Sequence, residues 1–598
     1  MVLSSKAQLV IGFKKFMSGA CSLEDMAGYH SIYDDVTLPP ITLTYLPTSQ
    51  QITTKSEIPV GQALKVFDPE INAIAALVNN EILSLNEKLD ISSTIEPIFF
   101  KGEYARQIFC DSFTVALQAA ATKLFHGQAL ECCYIMQNAR FFKFTDMALT
   151  QDDLDALKAL LISISDADLK ISRTTVSFND ALHYLKEIHH KGSCNLLTSI
   201  NTSKVSMARI CSKELGIDFR TLWISTLAPS TGILEKNLWT MKLHDAGILV
   251  HLTDDFVKVR PPDVKLESQL APIMMAYKNW SSALRVPNVA ALNELIPNRT
   301  RIREFINTCE FRHEKHISEV AKSIPDDVRC IFVAGPSSSS KTTFSNRLSV
   351  HLRTRNFQPI RVSLDDYYMN PDTIPRLESD PTKPDFEHIE ALDLKRLSEN
   401  LHGLLNGEEV TMAHYDFKTK TAGDGKKLRL PSGGVLIIEG IHALNDRITS
   451  AVPADKRCRI FIQPVGSLIW DELRLFESVD SRLLRRMCRD FVFRNRSADG
   501  TLEFWPSVRA GEERWILSNQ SKCEIYFNSS VLYELFTLKV FAVPLLKSVP
   551  QSSHNFPSAR RLLRLLEPFL PIPVELTPEI SLSREFLPSG SIFEDFFF

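Results

Sequence analysis

Five short apolar runs in the second half of the chain alternate with stretches whose apolar residues recur every three to four positions. The runs are rich in β-branched side chains, which is typical of strands buried on both faces. Their alternation with helical stretches predicts an α/β domain, a parallel sheet with flanking helices. The five runs are VRCIFVAG (328–335), PIRVSL (359–364), GVLIIEG (434–440), CRIFIQ (458–463) and KVFAVPLL (539–546).

The first half mixes the two patterns. ITLTYL and SSTIEPIFF alternate like half-buried strands, and INAIAALVNNEIL (71–83) has the spacing of an amphipathic helix, so a small α+β module is expected. A helix is predicted over residues 103–125, with one buried face formed by Ile108, Phe113, Leu117, Ala121 and Leu124. Proline-rich breaks and these patterns divide the chain into an N-terminal extension (1–40), the α+β module (41–102), a second mixed domain (103–260), a helical connection (261–325), the α/β domain (326–546) and a C-terminal tail (547–598).

The amino-acid composition excludes several classes of protein for this chain. The chain has 598 residues, 44% hydrophobic and 23% charged, which suits several folded domains. Its 68 basic and 71 acidic residues leave a formal charge of -3, which argues against a nucleic-acid partner. No apolar run of about 18 residues predicts a membrane span. The 11 cysteines are scattered without a CxxC pair, so we expect a reduced, cytoplasmic protein.

A serine-rich loop joins the first run to a helix. The segment from Gly335 to Thr343 is followed by the helical FSNRLSVHLRTR, the strand, loop and helix order of a phosphate-binding loop. In such a loop backbone N–H groups surround a polyphosphate, the lysine reaches its terminal phosphates and a hydroxyl binds Mg²⁺. Lys341 and Thr342 occupy these positions, but Ser340 replaces the glycine that normally precedes the lysine. A bland connecting loop is the alternative. The nucleotide-binding candidates are Gly335, Pro336, Ser337, Ser338, Ser339, Ser340, Lys341, Thr342 and Thr343.

Acidic residues follow two neighbouring runs. Asp365 and Asp366 come after the second run and Glu439 ends the third. The carboxyl ends of parallel strands meet at one edge of the sheet, where ligands of such folds bind. Each residue has a structural alternative, because Asp365 or Asp366 could cap a turn and Glu439 could form a buried pair.

An arginine stripe follows the fourth run. Arg482, Arg485, Arg486 and Arg489 are spaced i, i+3, i+4 and i+7, so they share one helical face. Such a stripe can close over transferring phosphates as a lid, or it can be an ordinary solvated basic face.

From about Val328 to Val543 the chain resembles the uridine kinase and phosphoribulokinase family, through VAGPSSSSKTTF, SLDDYY, PDFEHIEALD, HYDF, GVLIIEGIHAL and RLLRRMCRD in the expected order. The resemblance implies an ATP- and Mg²⁺-dependent kinase that phosphorylates the 5′-hydroxyl of uridine or cytidine in pyrimidine salvage. It also implies the roles of individual residues: Asp365 as proton acceptor, Lys341, Arg485 and Arg489 in catalysis, Arg494 at ATP, Thr342 and Glu439 at the metal, and Tyr368, Glu387, Tyr415 and Arg482 at the nucleoside.

Departures from the family pattern leave a second hypothesis open. Ser340 replaces the loop glycine, Glu387 stands where shorter uridine kinases have aspartate, and Lys420 stands where they have a base-contacting histidine. The alternative is a nucleotide-binding pseudokinase or regulatory scaffold. Residues 41–102 resemble a TGS domain and residues 103–252 the second domain of threonyl-tRNA synthetases, as in the long form of the nucleoside kinases. That second domain lacks the histidine and cysteine pattern of an editing pocket. The sequence is compatible with a homo-oligomer but does not decide the oligomeric state.

Overall fold

The computed structural model describes residues 39–200, 202–260, 263–378, 380–417, 419–466, 468–588 and 590. All but the last two residues of the predicted N-terminal extension lie outside these ranges. The described residues form two compact units, one that ends at Phe99 and one that begins at Phe100. No helix among the described residues has the length and apolar composition that crossing a bilayer requires.

The first unit is a small mixed sheet with one helix. A five-stranded sheet has the order β2-β1-β7-β4-β5, with β1 and β7 parallel and the other pairs antiparallel. Leu43, Val60, Leu64 and Ile95 are fully buried in its core. The elements are β1 Ile41–Tyr45, β2 Gln50–Thr54, β3 Ile58–Pro59, α1 Val60–Phe67, β4 Ala75–Val78, β5 Glu81–Leu83, β6 Lys88–Leu89 and β7 Ser93–Ile98.

The helix predicted over INAIAALVNNEIL is wrong, because this segment contains the hairpin of β4 and β5. Val78 pairs with Glu81, so Asn79 and Asn80 form the two-residue turn. Both asparagines have positive φ angles, 49° and 60°, as a type I′ hairpin turn requires. Asparagine tolerates this conformation better than most residues, so the Asn-Asn pair sets a turn that the apolar spacing did not reveal.

The second unit begins with a mixed α and β region. Its strands form an antiparallel four-stranded sheet, β13-β14-β9-β8, and an antiparallel three-stranded sheet, β10-β11-β12. The predicted helix over 103–125 is confirmed, and its predicted face is buried except for Leu124, which is 38% exposed. The elements are α2 Gly102–Leu124, β8 Leu130–Met136, β9 Ala139–Phe144, α3 Gln151–Asp166, β10 Ile171–Ser177, α4 Phe178–Glu187, α5 Lys191–Ile200, β11 Lys204–Ser212, β12 Ile217–Leu222, β13 Trp239–His244 and β14 Gly247–Leu252.

The region predicted to be helical from Lys265 to Ile324 contains three helices, α6 Val264–Ala283, α7 Val289–Leu295 and α8 Arg299–Ser323. Asn288 and Asn298 cap α7 and α8 by accepting bonds from backbone N–H groups of the first turn. The helical pattern is therefore interrupted by polar caps.

The predicted parallel sheet is present. Its order is β16-β19-β15-β20-β21, and every pair is parallel. Alternate residues of β15 pack into two separate apolar clusters, so both faces of the sheet are covered. The elements are β15 Cys330–Ala334, α9 Lys341–Arg353, β16 Gln358–Ser363, α10 Leu394–Leu405, β17 Glu409–Asp416, β18 Thr421–Arg429, β19 Gly434–Glu439, α11 Asp446–Thr449, β20 Arg457–Gln463, α12 Ser478–Arg494, α13 Ala498–Gly511, β21 Ile525–Asn528, α14 Glu534–Lys547 and α15 Phe556–Leu566.

The fifth predicted strand is wrong. KVFAVPLL lies within α14, and the fifth strand is β21, with the sequence IYFN. A continuous apolar run does not distinguish a buried strand from a buried helix, because every position is apolar in either case. In α14 the buried side chains Phe536, Leu538, Ala542 and Leu546 pack in the helical core of the second unit.

Candidate functional site

The serine-rich loop lies between β15 and the N-terminus of α9. Ser338 and Ser340 have φ angles of 59° and 69°, the left-handed region that glycine usually fills. A Cβ on Gly335 would collide with the carbonyl oxygen of Ile462, so this glycine is required by the close approach of β20. The loop thus keeps one sterically required glycine and places two serines in strained conformations.

The side chain of Ser340 is held by residues outside the loop. Its hydroxyl donates to the carbonyl oxygen of Leu582 at 3.3 Å and accepts from Arg485 at 3.3 Å. Ser340 is fully buried, and its bonding partners belong to α12 and to the segment from residue 579 to residue 588, here called the C-terminal strap. These contacts bind the Ser340 hydroxyl to groups outside the phosphate-binding loop.

Replacing Ser340 by glycine is therefore expected to change Mg·ATP affinity and turnover by no more than about threefold. Relief of backbone strain and loss of the two hydrogen bonds oppose each other, and each contributes about 1 kcal/mol. Calorimetric titration and initial rates measure the effect, with Ser340→Ala as the control that keeps the Cβ and removes the hydroxyl. A gain of tenfold or more in Ser340→Gly alone would show that the Cβ obstructs the phosphate site.

Lys341 and Thr342 begin α9 beside the end of β19. The Lys341 ammonium donates to the carbonyl oxygen of Pro336 at 3.1 Å, and Thr342 donates to Glu439 at 3.2 Å. Parallel pairing of Val333 with Glu439 brings this carboxylate to the loop. Burial lowers the pKa of Lys341, while Glu439 and Asp365 oppose that shift, so the three charges lie in one electrostatic cluster.

A hydroxyl and a carboxylate are suitable Mg²⁺ ligands. Glu439 is 5% exposed, and burial raises its pKa. A divalent cation beside it would favour the ionised form. The donor set of Thr342 and Glu439 therefore fits the ion, with further ligands supplied by water and phosphate oxygens as is usual for Mg²⁺.

Asp365 follows β16 in a single turn of 3-10 helix, Leu364–Tyr367. The hydroxyl of Ser363 accepts the backbone N–H of Asp365 at 3.3 Å and fixes this turn. Ser363 pairs with Glu439 across the parallel strands, so the ends of β16 and β19 meet at the phosphate-binding loop, as predicted.

Aromatic side chains form a cluster beside Asp365. The ring centroid of Tyr368 lies 5.9 Å from that of Phe386, 5.7 Å from that of Tyr415 and 6.2 Å from that of Phe417. The buried hydroxyl of Tyr415 has no hydrogen-bond partner among the described residues. The rings pack edge to face or tilted, and the cluster combines aromatic surface with an unused polar group, which suits a ligand that has both a ring and hydroxyls.

Glu387 lies next to this cluster. Burial raises the pKa of Tyr368, and the negative charge of Glu387 raises it further. Burial also raises the pKa of Glu387 itself, to about 7. Its Oε2 atom has no partner among the described residues. A buried carboxyl with an unused oxygen is suited to accept a hydrogen bond from a ligand hydroxyl.

The structure does not bring Arg482 to the aromatic cluster. Arg482 is 1% exposed. Both of its terminal nitrogens donate hydrogen bonds to Glu512, and one of them also donates to the carbonyl oxygen of Ser337 at 3.3 Å. The backbone N–H of Ser337 also donates to Glu512 at 3.2 Å. Arg482 and Glu512 therefore hold the start of the phosphate-binding loop, and the role of Arg482 at the nucleoside stays a prediction.

The other arginines of the stripe have different surroundings. Arg485 is fully buried and donates to Glu534 at 2.7 Å and to the carbonyl oxygen of Ser338 at 3.2 Å. Arg486 donates to the hydroxyl of Ser337 at 2.8 Å. The buried part of the stripe is thus bonded to the loop and is not a solvated basic face.

Arg489 and Arg494 lie further along α12. Arg489 pairs with Glu585 at 3.3 Å, whereas Arg494 pairs with Asp490 at 3.2 Å and lies over the ring of Phe417 at 5.5 Å. Arg494 therefore connects the arginine stripe with the aromatic cluster. The catalytic role of Arg489 and the place of Arg494 at ATP stay predictions.

Glu585 is a site residue that sequence reasoning missed. Its carboxylate accepts from the Thr343 hydroxyl at 3.1 Å and pairs with Arg489, and both side chains of the ion pair are mostly buried. Glu585 lies in LSREF (582–586), a segment without a recognisable catalytic motif, so no sequence signal pointed to it. A carboxylate bound to a loop hydroxyl and an arginine occupies two groups that a phosphate would use.

Glu585→Gln is expected to tighten Mg·ATP binding by about threefold, because it removes a negative charge close to the phosphates. The effect should weaken as salt is raised, since screening reduces electrostatic repulsion. Titration calorimetry at two ionic strengths measures it. Glu579→Gln, an exposed carboxylate in the same C-terminal strap, is the matched control. Weaker binding in Glu585→Gln would assign Glu585 a supporting role in nucleotide binding.

A glycine-containing loop at a helix N-terminus, with carboxylates at the ends of neighbouring parallel strands, defines a P-loop kinase fold. The model of the Phosphoribulokinase / Uridine kinase family matches residues 330–531. A uridine kinase of Bacillus pumilus is 30% identical over 178 residues, which cover 30% of this chain and 75% of that protein. The chain therefore belongs to the phosphoribulokinase/uridine kinase family.

Two further relatives match the same part of the chain. A uridine kinase of Ureaplasma parvum is 27% identical over 178 residues, 30% of this chain and 76% of that protein. A uridine kinase of Macrococcus caseolyticus is 25% identical over 215 residues, 35% of this chain and 94% of that protein. These matches concern the kinase region, and the resemblance of residues 41–252 to synthetase domains stays a prediction.

Proposed function

We propose that the protein transfers the γ-phosphate of ATP to the 5′-hydroxyl of a nucleoside, uridine or cytidine. The observation that supports this most directly is the position of Asp365 between two sets of groups. On one side are Lys341, Thr342 and Glu439, and on the other is the aromatic cluster around Tyr368.

In this proposal the loop N–H groups and Lys341 bind the triphosphate. Thr342 and Glu439 hold Mg²⁺, which would neutralise charge on the phosphates. Asp365 accepts the proton of the 5′-hydroxyl while that oxygen forms its bond to the γ-phosphorus and the bond from phosphorus to the ADP oxygen breaks. Arg489 and Arg494 stabilise the charge on the transferring group.

The aromatic cluster and Glu387 are proposed to bind the nucleoside. The base stacks on the aromatic rings, and the unused oxygen atoms of Glu387 and Tyr415 bind the sugar hydroxyls. A protonated Glu387 donates and an ionised one accepts, so its pKa of about 7 leaves both forms present at neutral pH.

The test is to incubate the full chain with γ-³²P-ATP, Mg²⁺ and a panel of ribonucleosides and deoxyribonucleosides, and to separate the products. We expect labelled 5′-monophosphate from uridine or cytidine, and little from purine nucleosides. Binding of Mg·ATP without transfer to any nucleoside would contradict the proposal and support the scaffold hypothesis. Tyr368→Ala provides a second criterion, because loss of the stacking surface should raise KM for the nucleoside and leave ATP binding unchanged.

A further inference from the structure

A buried glycine ends helix α13 at a position where the backbone does not require one. Gly511 has φ and ψ angles of -65° and -41°, the ordinary helical conformation, and the chain continues into a turn of π-helix, Glu512–Ile516. Alanine is strongly favoured over glycine at helical positions, because glycine loses more backbone freedom on folding. A glycine here therefore indicates that another part of the chain approaches the helix closely.

The neighbour that approaches is Glu387. A Cβ on Gly511 would touch the Cβ of Glu387 and would lie 2.8 Å from its Cγ and 3.6 Å from its Cα. Carbon atoms that are not bonded normally keep about 3.5–4.0 Å apart. Rotation of the Glu387 side chain moves its Cγ but leaves its Cβ in place, so a side chain at position 511 would force one of the two backbones to shift.

The length of Glu387 gives this contact a meaning for the site. Glu387 stands where the shorter uridine kinases have aspartate, so its side chain contains one more methylene group. The absent side chain at Gly511 leaves room for the first two carbons of this longer residue. At the other end of the side chain, the Oε2 atom is buried and has no partner in the described part of the chain. Packing therefore fixes the base of Glu387, while its tip is available to a ligand.

The residue after Gly511 contacts the phosphate-binding loop. Glu512 accepts the backbone N–H of Ser337 at 3.2 Å and a terminal nitrogen of Arg482 at 2.9 Å. The backbone N–H of Leu517 donates to the carbonyl oxygen of Glu512, the wide spacing of a π-helical turn. Such turns are rare and occur frequently at functional sites. Two consecutive residues thus border the proposed nucleoside pocket and the loop.

The carboxyl of Glu387 also lies within electrostatic reach of this turn. Burial raises its pKa, Arg486 of α12 lowers it, and the charge of Glu512 raises it. The position of Glu387 between these charges therefore affects its protonation as well as its reach.

We propose that Gly511 is a positioning residue for the nucleoside, because its bare backbone lets Glu387 lie where the free Oε2 atom meets a sugar hydroxyl. This inference rests on the proposed function and adds a residue to it. Glu512 holds the phosphate-binding loop through a separate hydrogen bond, so a change at Gly511 acts on the nucleoside and spares ATP.

The first test compares Gly511→Ala with Gly500→Ala in the full chain. Gly500 lies in the same helix, and a Cβ there would come no closer than 3.3 Å to the flexible side chains of Arg496 and Ser497. Uridine and cytidine are titrated by calorimetry in the presence of Mg·AMPPNP. Gly511→Ala should raise the nucleoside Kd by about tenfold or more, and Gly500→Ala should leave it within about twofold. An unchanged Kd in Gly511→Ala would overturn the proposal.

A positioning role is distinguished from general damage by the kinetic constants. In Gly511→Ala the KM for the nucleoside should rise about tenfold, while kcat and the Kd of Mg·AMPPNP stay within about threefold of the original values. Parallel losses in kcat and in Mg·AMPPNP affinity would assign Gly511 a structural role alone.

A double-mutant cycle tests the contact without any nucleoside. Gly511→Ala should lower the melting temperature by about 3 °C or more, and the loss should be at least halved in a Glu387→Gly background. Equal losses in both backgrounds would show that Gly511 does not set the place of Glu387. Should Gly511→Ala fail to fold, the double variant should fold again, and its failure would contradict the proposal. If the original chain binds Mg·AMPPNP but no nucleoside, the proposed function fails, and the cycle still decides whether the two residues form a pair.

Discussion

Replacing Asp365 by asparagine is expected to lower the rate of phosphoryl transfer by about 10³-fold while leaving the Kd of Mg·ATP within about twofold of the original. Asparagine keeps the size of the side chain and removes its ability to accept a proton. In the proposed function the loop and Lys341 bind the nucleotide, so loss of the Asp365 carboxylate leaves these contacts in place. Single-turnover rates together with calorimetric Kd values measure the two effects separately.

Asp366 provides the matched control for this substitution. It is the next residue in the same turn, and burial raises its pKa, but its carboxylate faces His414 at 3.3 Å. Asp366→Asn is expected to reduce transfer by less than about tenfold. Full activity in Asp365→Asn, or an equal loss in both variants, would remove Asp365 from its proposed role as proton acceptor.

The second large effect is expected on stability. Glu512→Gln should lower the free energy of unfolding of the kinase region by about 3–5 kcal/mol, because it leaves Arg482 buried without a counter-ion. Glu512 is fully buried and accepts from Arg482, Arg509 and the backbone of Ser337. Scanning calorimetry should show a clear fall in the melting temperature of the transition that contains this region.

The adjacent Glu513 serves as the control for Glu512. Its side chain is 60% exposed and pairs with Arg509 at 3.1 Å, so Glu513→Gln should change stability by less than about 0.5 kcal/mol. Equal melting temperatures for Glu512→Gln and Glu513→Gln would show that the buried pair contributes no more than a surface one.

The effect of Glu512→Gln also depends on pH. Burial alone would raise the pKa of Glu512, but Arg482 and Arg509 hold it below the ordinary value of 4.5. A depressed pKa contributes stability that is fully present above the unfolded-state value and is lost as the pH falls through the folded value. The stability difference between the two proteins should therefore be constant near neutral pH and shrink in acid below about pH 4.5.

Sequence patterns predicted four of the five strands of the kinase sheet and missed the fifth, β21, at one edge. β15, β16, β19 and β20 are short β-branched runs between loops, and each lies where it was expected. The edge strand β21 has only four residues, which are too few to show a periodic pattern. The longer apolar run within α14 has the composition expected of a buried strand. Local pattern cannot decide such cases, because burial depends on which elements pack together in the fold.

The arginine stripe shows the same limit at the site. The spacing placed Arg482, Arg485 and Arg489 on one helical face but did not reveal what that face contacts. Their carboxylate partners lie 30, 49 and 96 residues further along the chain. No short motif connects residues so far apart, and only the folded chain shows that these arginines hold the loop in place.

The bond between Ser340 and Leu582 has a consequence for biosynthesis. A ribosome that has completed residues 330–531 has made the whole segment matched by the family, yet the strap that holds Ser340 and Thr343 has not been translated. The phosphate-binding loop of a growing chain therefore lacks these two contacts until the strap emerges from the exit tunnel. Chains interrupted before Leu582 would contain every recognisable kinase motif and still lack a properly supported phosphate-binding loop.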